Sequence, residues 1–207
     1  MVLHLTRPSI ALQKTIPQNA QNIRVPSSYK KQRALRKTSV LGIGGMGTVY
    51  LAEQQHPPRE VAVKQANHKF SSAKEIIFQE AMIAGALEHP AIVPIYEVRP
   101  SGADGPEIVM RRIKGQTFSE LIHQEIGQED WLKRAIDICI SICRAIEYVH
   151  SKRILHRDIK PENIMLGGFG EVYLVDWGLA VPMDEAQHMA KGVCGSLPYM
   201  APEMLLA

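Results

Sequence analysis

The feature that most restricts the fold is a change of texture at Gly115. From Thr38 up to that point the chain runs in short stretches rich in β-branched residues; beyond it, apolar residues recur at helical spacing. Residues 39–42, 48–53 and 60–65 read as strands, the last two parted by a turn at 56–59 that holds Pro57 and Pro58. Residues 72–87 read as a helix, since Ile76, Ile77, Glu80, Ile83, Ala84 and Leu87 fall three or four apart, and His89 and Pro90 end it. Residues 92–98 and 107–110 read as two more strands across a turn at 100–106. Residues 117–126 then predict a short amphipathic helix and 129–151 a long one. Leu132, Ala135, Ile136, Cys139, Ile142, Cys143, Ile146 and Val149 form its expected buried stripe. Strands around one helix, followed by helices, imply an α+β fold of two lobes. The first is an antiparallel sheet with one helix, the second is mainly α-helical, and a cleft lies between them.

Composition narrows the setting. At 207 residues, 45% of them apolar, the chain can bury a sizeable core and is not disordered as a whole. The net charge of +3 hides an asymmetry: residues 1–37 carry eight Lys or Arg and no acid, leaving 16 basic and 21 acidic residues beyond. With Pro8, Pro17 and Pro26 breaking regular structure, 1–37 reads as a flexible, solvated tail. A basic arm for an acidic partner or anionic surface is the competing reading, and a transit peptide resembles it in composition only. Three cysteines without a C-x-x-C pattern argue against a disulfide framework or a zinc site and favour a reducing, cytoplasmic setting. Cys139 and Cys143 read as small buried apolar residues rather than ligands. No apolar run reaches the roughly 18 residues of a membrane span. No secretory signal is recognisable, and nothing indicates a nucleic-acid partner.

Three stretches carry chemistry. Gly42, Gly44 and Gly47, with Val49 two residues on, form a turn in which backbone N–H groups can approach phosphate oxygens. A dinucleotide-binding turn would open a helix at these glycines, whereas Thr48–Val49–Tyr50 continue as a strand, so the turn is a hairpin flap. Lys64 lies in the apolar strand Val61–Ala62–Val63 and needs a partner, for which Glu80 on the following helix is the candidate. The third stretch, 154–166, sets His156, Arg157, Asp158, Lys160 and Asn163 between apolar flanks. Such flanks would hold its polar atoms in fixed positions, as a preorganised site requires.

Taken in order, the glycine turn, Val61–Lys64, His156–Asn163, Asp176–Trp177–Gly178 and Ala201–Pro202–Glu203 resemble the eukaryotic-type protein kinase family. The glycine turn and the run 88–94 are most similar to its bacterial serine/threonine members. The resemblance implies that Leu41, Gly42, Ile43, Gly44, Gly45, Met46, Gly47, Thr48 and Val49 cover ATP, with Ala62 in the same nucleotide-binding set. It further implies that Lys64, held by Glu80, contacts the α- and β-phosphates, and that Met110 is the gatekeeper before a hinge. Asp158 would accept or orient the proton of the substrate hydroxyl. Lys160 would steady the γ-phosphate, and Asn163 and Asp176 would hold Mg²⁺. The implied division is a tail over 1–37, a first lobe over 38–110, a hinge over 111–116 and a second lobe over 117–207. The expected activity is Mg-ATP-dependent phosphorylation of Ser or Thr in protein substrates. A nucleotide-binding pseudokinase or scaffold is the rival reading. A small-molecule kinase is disfavoured by Lys160 and the segment at 201–203.

Three departures from the family pattern stand out. Trp177 replaces the usual Phe, and its larger ring is expected to fill space left by Ala84. Residues 179–195 hold no Ser, Thr or Tyr, so the usual activating phosphate has no acceptor there and Arg157 lacks its phosphate partner. Asp184 or Glu185 is a candidate substitute charge, against the reading of a solvated acidic turn, and Ser196 reads as structural. Finally, the sequence stops four residues after Glu203, which reads as an N-terminal portion of a longer kinase with an incomplete second lobe. Apolar faces of 129–151 are then expected to lie exposed.

Overall fold

The computed structural model describes residues 35–44, 47–66, 73–102, 105–186 and 195–202. The tail reading for residues 1–34, the nucleotide-binding roles of Gly45 and Met46, and Cys194 and Glu203 all lie outside the described residues. Strand β1 is Arg36–Ile43, so it takes in the last two residues of the expected tail. Strands β2 (Gly47–Gln55) and β3 (Pro58–Ala66) form a hairpin with it, and helix α1 (Ala73–Gly85) follows. Strands β4 (Ile95–Gly102) and β5 (Gly105–Arg111) complete an antiparallel sheet of order β1-β2-β3-β5-β4.

Alternation along β3 explains why α1 packs where it does. Val61 and Val63 join Ala52 and Val109 in one buried cluster, while Ala66 joins Ile108, Ile77 and Ala81 in another, on the α1 side. Lys64, one position from Val63 and two from Ala66, therefore points toward the helix. β4 begins three residues later than expected, because the run before it serves elsewhere. Ile92 bridges Leu174, and the Ala91 carbonyl accepts a 2.8 Å bond from the Leu174 N–H.

The second half opens with β6 (Gly115–Thr117) and α2 (Phe118–Glu125). Thr117 caps α2 reciprocally: its hydroxyl accepts from the Glu120 N–H at 3.1 Å, and its own N–H donates to the Glu120 carboxylate at 2.7 Å. Helix α3 (Trp131–Ser151) buries Ile138, Ile142, Ala145 and Val149. This corrects the expected stripe. Only Ile142 and Val149 of it are buried; Leu132 is 68% exposed, Ile136 is 49% exposed, and Cys139 and Cys143 are exposed as well. The helix is apolar on more than one side, so periodicity did not decide which side turns inward. Apolar residues of α3 do lie exposed, Leu132, Ile136 and Ile140 among them, and Cys143, Ile146 and Ile159 line a groove beside the helix.

Strand β7 (Ile154–Leu155) is followed by β8 (Ile164–Gly167), β9 (Val172–Leu174), β10 (Val181–Pro182) and a short helix, α4 (Met183–Ala186). β7 pairs with β10, and β6, β8 and β9 form a small sheet. One buried cluster runs from Ala84 and Leu87 of the first lobe through Ile92 to Leu121, Ile138, Ile164, Leu174 and Trp177 of the second. That shared core fixes α1 against the stretch carrying Asp176. Among the described residues, no helix is long and apolar enough to cross a membrane.

Candidate active site

Three chain segments meet at Lys64. Its ammonium lies 2.7 Å from each Glu80 carboxylate oxygen and 2.8 Å from Asp176 Oδ1. Burial works against the Lys64 charge, but Glu80 and Asp176 outweigh it and hold its pKa above the ordinary lysine value. Burial also pushes the Glu80 carboxyl upward, against the pull of Lys64 and of a hydrogen bond from the Trp177 backbone N–H. The two-oxygen contact with a retained ammonium decides for an ionised pair. Asp176 sits at φ +62°, a left-handed conformation that aims its carboxylate at Lys64 rather than along the strand.

The second cluster is built by the chain between β7 and β8. Asn163 ends a 3₁₀ turn, Pro161–Asn163, and its amide donates to the Asp158 carbonyl at 2.8 Å and to Asp158 Oδ2 at 2.9 Å. Lys160 Nζ is 2.8 Å from Asp158 Oδ2 and donates to Ser196 Oγ at 2.7 Å. Ser196 in turn gives its hydroxyl, at 2.9 Å, and its N–H, at 3.1 Å, to Asp158 Oδ1. Partial burial raises the Asp158 pKa, yet Lys160, Ser196 and Asn163 together carry it below the ordinary value, so it is an anion at neutral pH. The clusters are joined by a 2.9 Å bond from the Val175 N–H to the Asn163 carbonyl.

His156 is the anchor beneath them. Its Nδ1 accepts the Asp158 N–H at 3.3 Å, which leaves Nε2 to donate to the Val175 carbonyl at 3.3 Å. Its ring meets Trp177 edge-on at 4.6 Å. Burial pushes its pKa down to about 4, so it is neutral and held, not a proton carrier. Trp177 packs in one cluster with Ala84, as expected, and is 1% exposed. Its Nε1–H has no hydrogen-bond partner among the described residues.

The glycine flap lies at the open end of β1 and β2. A Cβ on Gly42 would meet nothing within 4 Å, whereas one on Gly47 would collide with the Gln65 backbone carbonyl. Gly47 is thus required by the hairpin, and Gly42 leaves open the space that a ligand would need. The Gly44 N–H donates to the Gly47 carbonyl at 2.9 Å, closing the turn, and Ile43 is 80% exposed at its tip. Val49 pairs with Lys64 across β2 and β3, and Ala62 pairs with Met110 across β3 and β5. Leu41, Thr48, Val49, Ala62 and Met110 therefore sit on strands that converge on Lys64.

The family profile described as the protein kinase domain matches residues 35–207. The chain belongs to the protein kinase family. The serine/threonine-protein kinase PknD of Protochlamydia amoebophila is 36% identical over 197 residues, an alignment covering 80% of this chain and 20% of that protein. PknD of Chlamydia muridarum is 35% identical over 202 residues, covering 81% and 22%. The probable serine/threonine-protein kinase SCO3848 of Streptomyces coelicolor is 39% identical over 175 residues, covering 79% and 25%. The chain thus spans about a fifth to a quarter of the length of these relatives. The antiparallel first lobe and mainly helical second lobe agree with this kinase membership, and the likeness to bacterial serine/threonine kinases expected from sequence is borne out by these relatives.

Two features of this kinase domain were not visible in the sequence. Glu60 of β3 holds both Arg112, at 2.5 Å, and Lys114, at 2.6 Å, while Arg111 reaches Glu171 between β8 and β9 at 3.5 Å. Nothing local marks these pairs, because the partners are far apart in sequence. Asp184 pairs with Arg153 at 2.5 Å, so it is not the substitute partner of Arg157. Instead Arg157 Nε donates to the Leu179 carbonyl at 2.7 Å.

The oxygen donors fit a hard cation. Asn163 spends its amide N–H groups on Asp158, which turns its carbonyl oxygen away from them, and Asp176 commits Oδ1 to Lys64 while its side chain stays 41% exposed. One carboxylate and one amide oxygen are a sparse set, and Mg²⁺ is the ion that accepts such a set alongside phosphate oxygens.

Proposed function

We propose that the protein transfers the γ-phosphoryl group of ATP to serine or threonine hydroxyls of protein substrates. The observation that carries this reading is the pair of adjoining clusters, Lys64 with Glu80 and Asp176, and Asp158 with Lys160 and Asn163, joined by the Val175 N–H to the Asn163 carbonyl, with each side chain of a type competent for its role. In this reading the flap from Leu41 to Val49, with Ala62 and Met110, encloses the nucleotide, and residues 111–116 form the hinge between lobes 38–110 and 117–207. Lys64 binds the α- and β-phosphates and is kept in place by Glu80. Asp158 orients the acceptor hydroxyl and takes its proton as the hydroxyl oxygen bonds to the γ-phosphorus. The bond to the bridging oxygen breaks and ADP leaves. Lys160 offsets charge on the transferred group. Asn163 and Asp176 would hold Mg²⁺, which supplies neutralisation of triphosphate charge when bound. A reducing, cytoplasmic setting belongs to this reading and rests on three cysteines without a C-x-x-C pattern.

The test is incubation of the chain with γ-labelled ATP, Mg²⁺ and a generic basic protein, followed by phosphoamino-acid analysis. Label on phosphoserine or phosphothreonine is expected. A melting-temperature rise with Mg-ATP but no label on any acceptor would instead favour the pseudokinase reading.

A further inference from the structure

The stretch from Leu179 to Gly195 contains no hydroxyl-bearing residue, yet its two described ends are firmly placed. At the start, β10 pairs with β7 through Val181 with Leu155 and Pro182 with Ile154. Just beyond, the Met183 N–H donates to the Arg153 carbonyl at 2.8 Å, and Arg153 Nη2 donates to Asp184 Oδ1 at 2.5 Å. Arg153 thus grips two successive residues, one through its backbone and one through its side chain. It does so at φ +58°, a left-handed conformation that a non-glycine residue keeps only where its surroundings fix it.

Arg157 governs both ends. Its Nε is committed to the Leu179 carbonyl, an uncharged acceptor, at 2.7 Å. Its own carbonyl backs onto Gly195, where a Cβ would come within 2.7 Å of that oxygen and where φ is +124°. The close approach brings Ser196 within reach of Asp158. Every acceptor in these fastenings is a backbone carbonyl or a carboxylate that the sequence supplies permanently.

We propose that Arg153 and Asp184 are positioning residues that fasten the start of the 179–195 segment, so that phosphate transfer needs no activating phosphate on the chain. The proposal rests on the kinase reading above. An isolated exposed pair is worth little, because ordering two side chains offsets the attraction. Here the adjoining Met183–Arg153 bond has already ordered the backbone that presents Asp184, so the pair acts on a short, pre-placed span.

The experiment uses the full chain in four forms: wild type, Asp184→Asn, Arg153→Met, and the charge swap Arg153→Asp with Asp184→Arg. Hydrogen exchange of the Met183 amide is read by mass spectrometry, and transfer is measured on phosphatase-treated protein. Exchange about two- to fivefold faster in both single variants, as expected for an exposed pair, is the predicted result. It is accompanied by lower kcat at unchanged KM for ATP. The swap restores both, and phosphatase treatment leaves wild-type transfer intact. Unchanged exchange in the single variants, or a swap that restores nothing, overturns the fastening role. Loss of transfer on phosphatase treatment overturns phosphate independence. Absence of transfer in every form, with the expected exchange pattern, overturns the kinase reading and the catalytic half of the proposal while supporting the fastening itself.

Discussion

Glu80 presents both of its carboxylate oxygens to the Lys64 ammonium, each at 2.7 Å, with both side chains nearly closed off from solvent. Removing one partner of a buried pair leaves the other charge uncompensated, at a cost of about 3–5 kcal/mol. Lys64→Met is therefore expected to destabilise the chain by roughly 3 kcal/mol and to abolish the rise in melting temperature with Mg-ATP. Differential scanning fluorimetry checks both effects, and a full nucleotide shift in the variant would contradict the role given to Lys64.

Asp158 touches Lys160, Asn163 and Ser196 but not Lys64, so binding and transfer are separable by substitution. Asp158→Asn should keep the Mg-ATP thermal shift and lower transfer by about 10²- to 10⁴-fold, the usual weight of a positioned proton acceptor. Transfer at wild-type rate to a basic protein substrate would refute that assignment.

Trp177 and Ala84 share one buried cluster, a large residue beside a small one. Trp177→Phe opens a cavity but also removes a buried N–H that lacks a partner, so the two effects oppose each other. A net loss of about 1 kcal/mol is expected, with reduced transfer, and Ala84→Leu in the same chain should recover much of both. Urea unfolding and kinase assays decide it; equal or higher activity in Trp177→Phe alone would rule out the space-filling role.

His156 is neutral when folded because burial lowers its pKa to about 4, against 6.5 for the free side chain. Between those values the unfolded chain binds more protons, so stability is full above about pH 6.5 and declines as pH falls toward 4. The shift corresponds to about 3 kcal/mol, at roughly 1.4 kcal/mol per unit. Asp158, with its depressed pKa, adds a separate loss only at still lower pH. Melting temperatures between pH 7 and 4 should fall, and His156→Gln should flatten the curve. A flat wild-type profile would show that burial does not hold the ring neutral.

Much of this fold was legible because each motif constrains its neighbours. Thr48–Val49–Tyr50 after the glycines excludes a helix, and a lysine ending the apolar run Val61–Ala62–Val63 demands a partner that Glu80 provides at the expected helix position. For 154–166 the residues themselves show a polar run held between apolar flanks, and the roles of Asp158, Lys160 and Asn163 are what the kinase resemblance implies. Long-range choices were not legible. α3 carries apolar residues on more than one side, so the period alone does not pick out Ile138 and Ala145 as buried or Cys139 and Cys143 as exposed. Asp184 stood as a candidate for Arg157 on proximity to the segment, but the turn at Arg153 brings a different guanidinium nearer. Strand ends at Gly102 and Gly105 exceeded expectation since pairing there is set across strands, not along them.

The sharing of Glu60 by Arg112 and Lys114 has a consequence for how the molecule responds to its medium. These contacts span the joint between β3 and the connection into β6, and Lys114 is largely in water. Ions screen such contacts over about 10 Å at 0.1 M and about 3 Å at 1 M. What these two pairs contribute at the joint thus depends on the solution as much as on the chain: it is largest in dilute buffer and is screened away in concentrated salt.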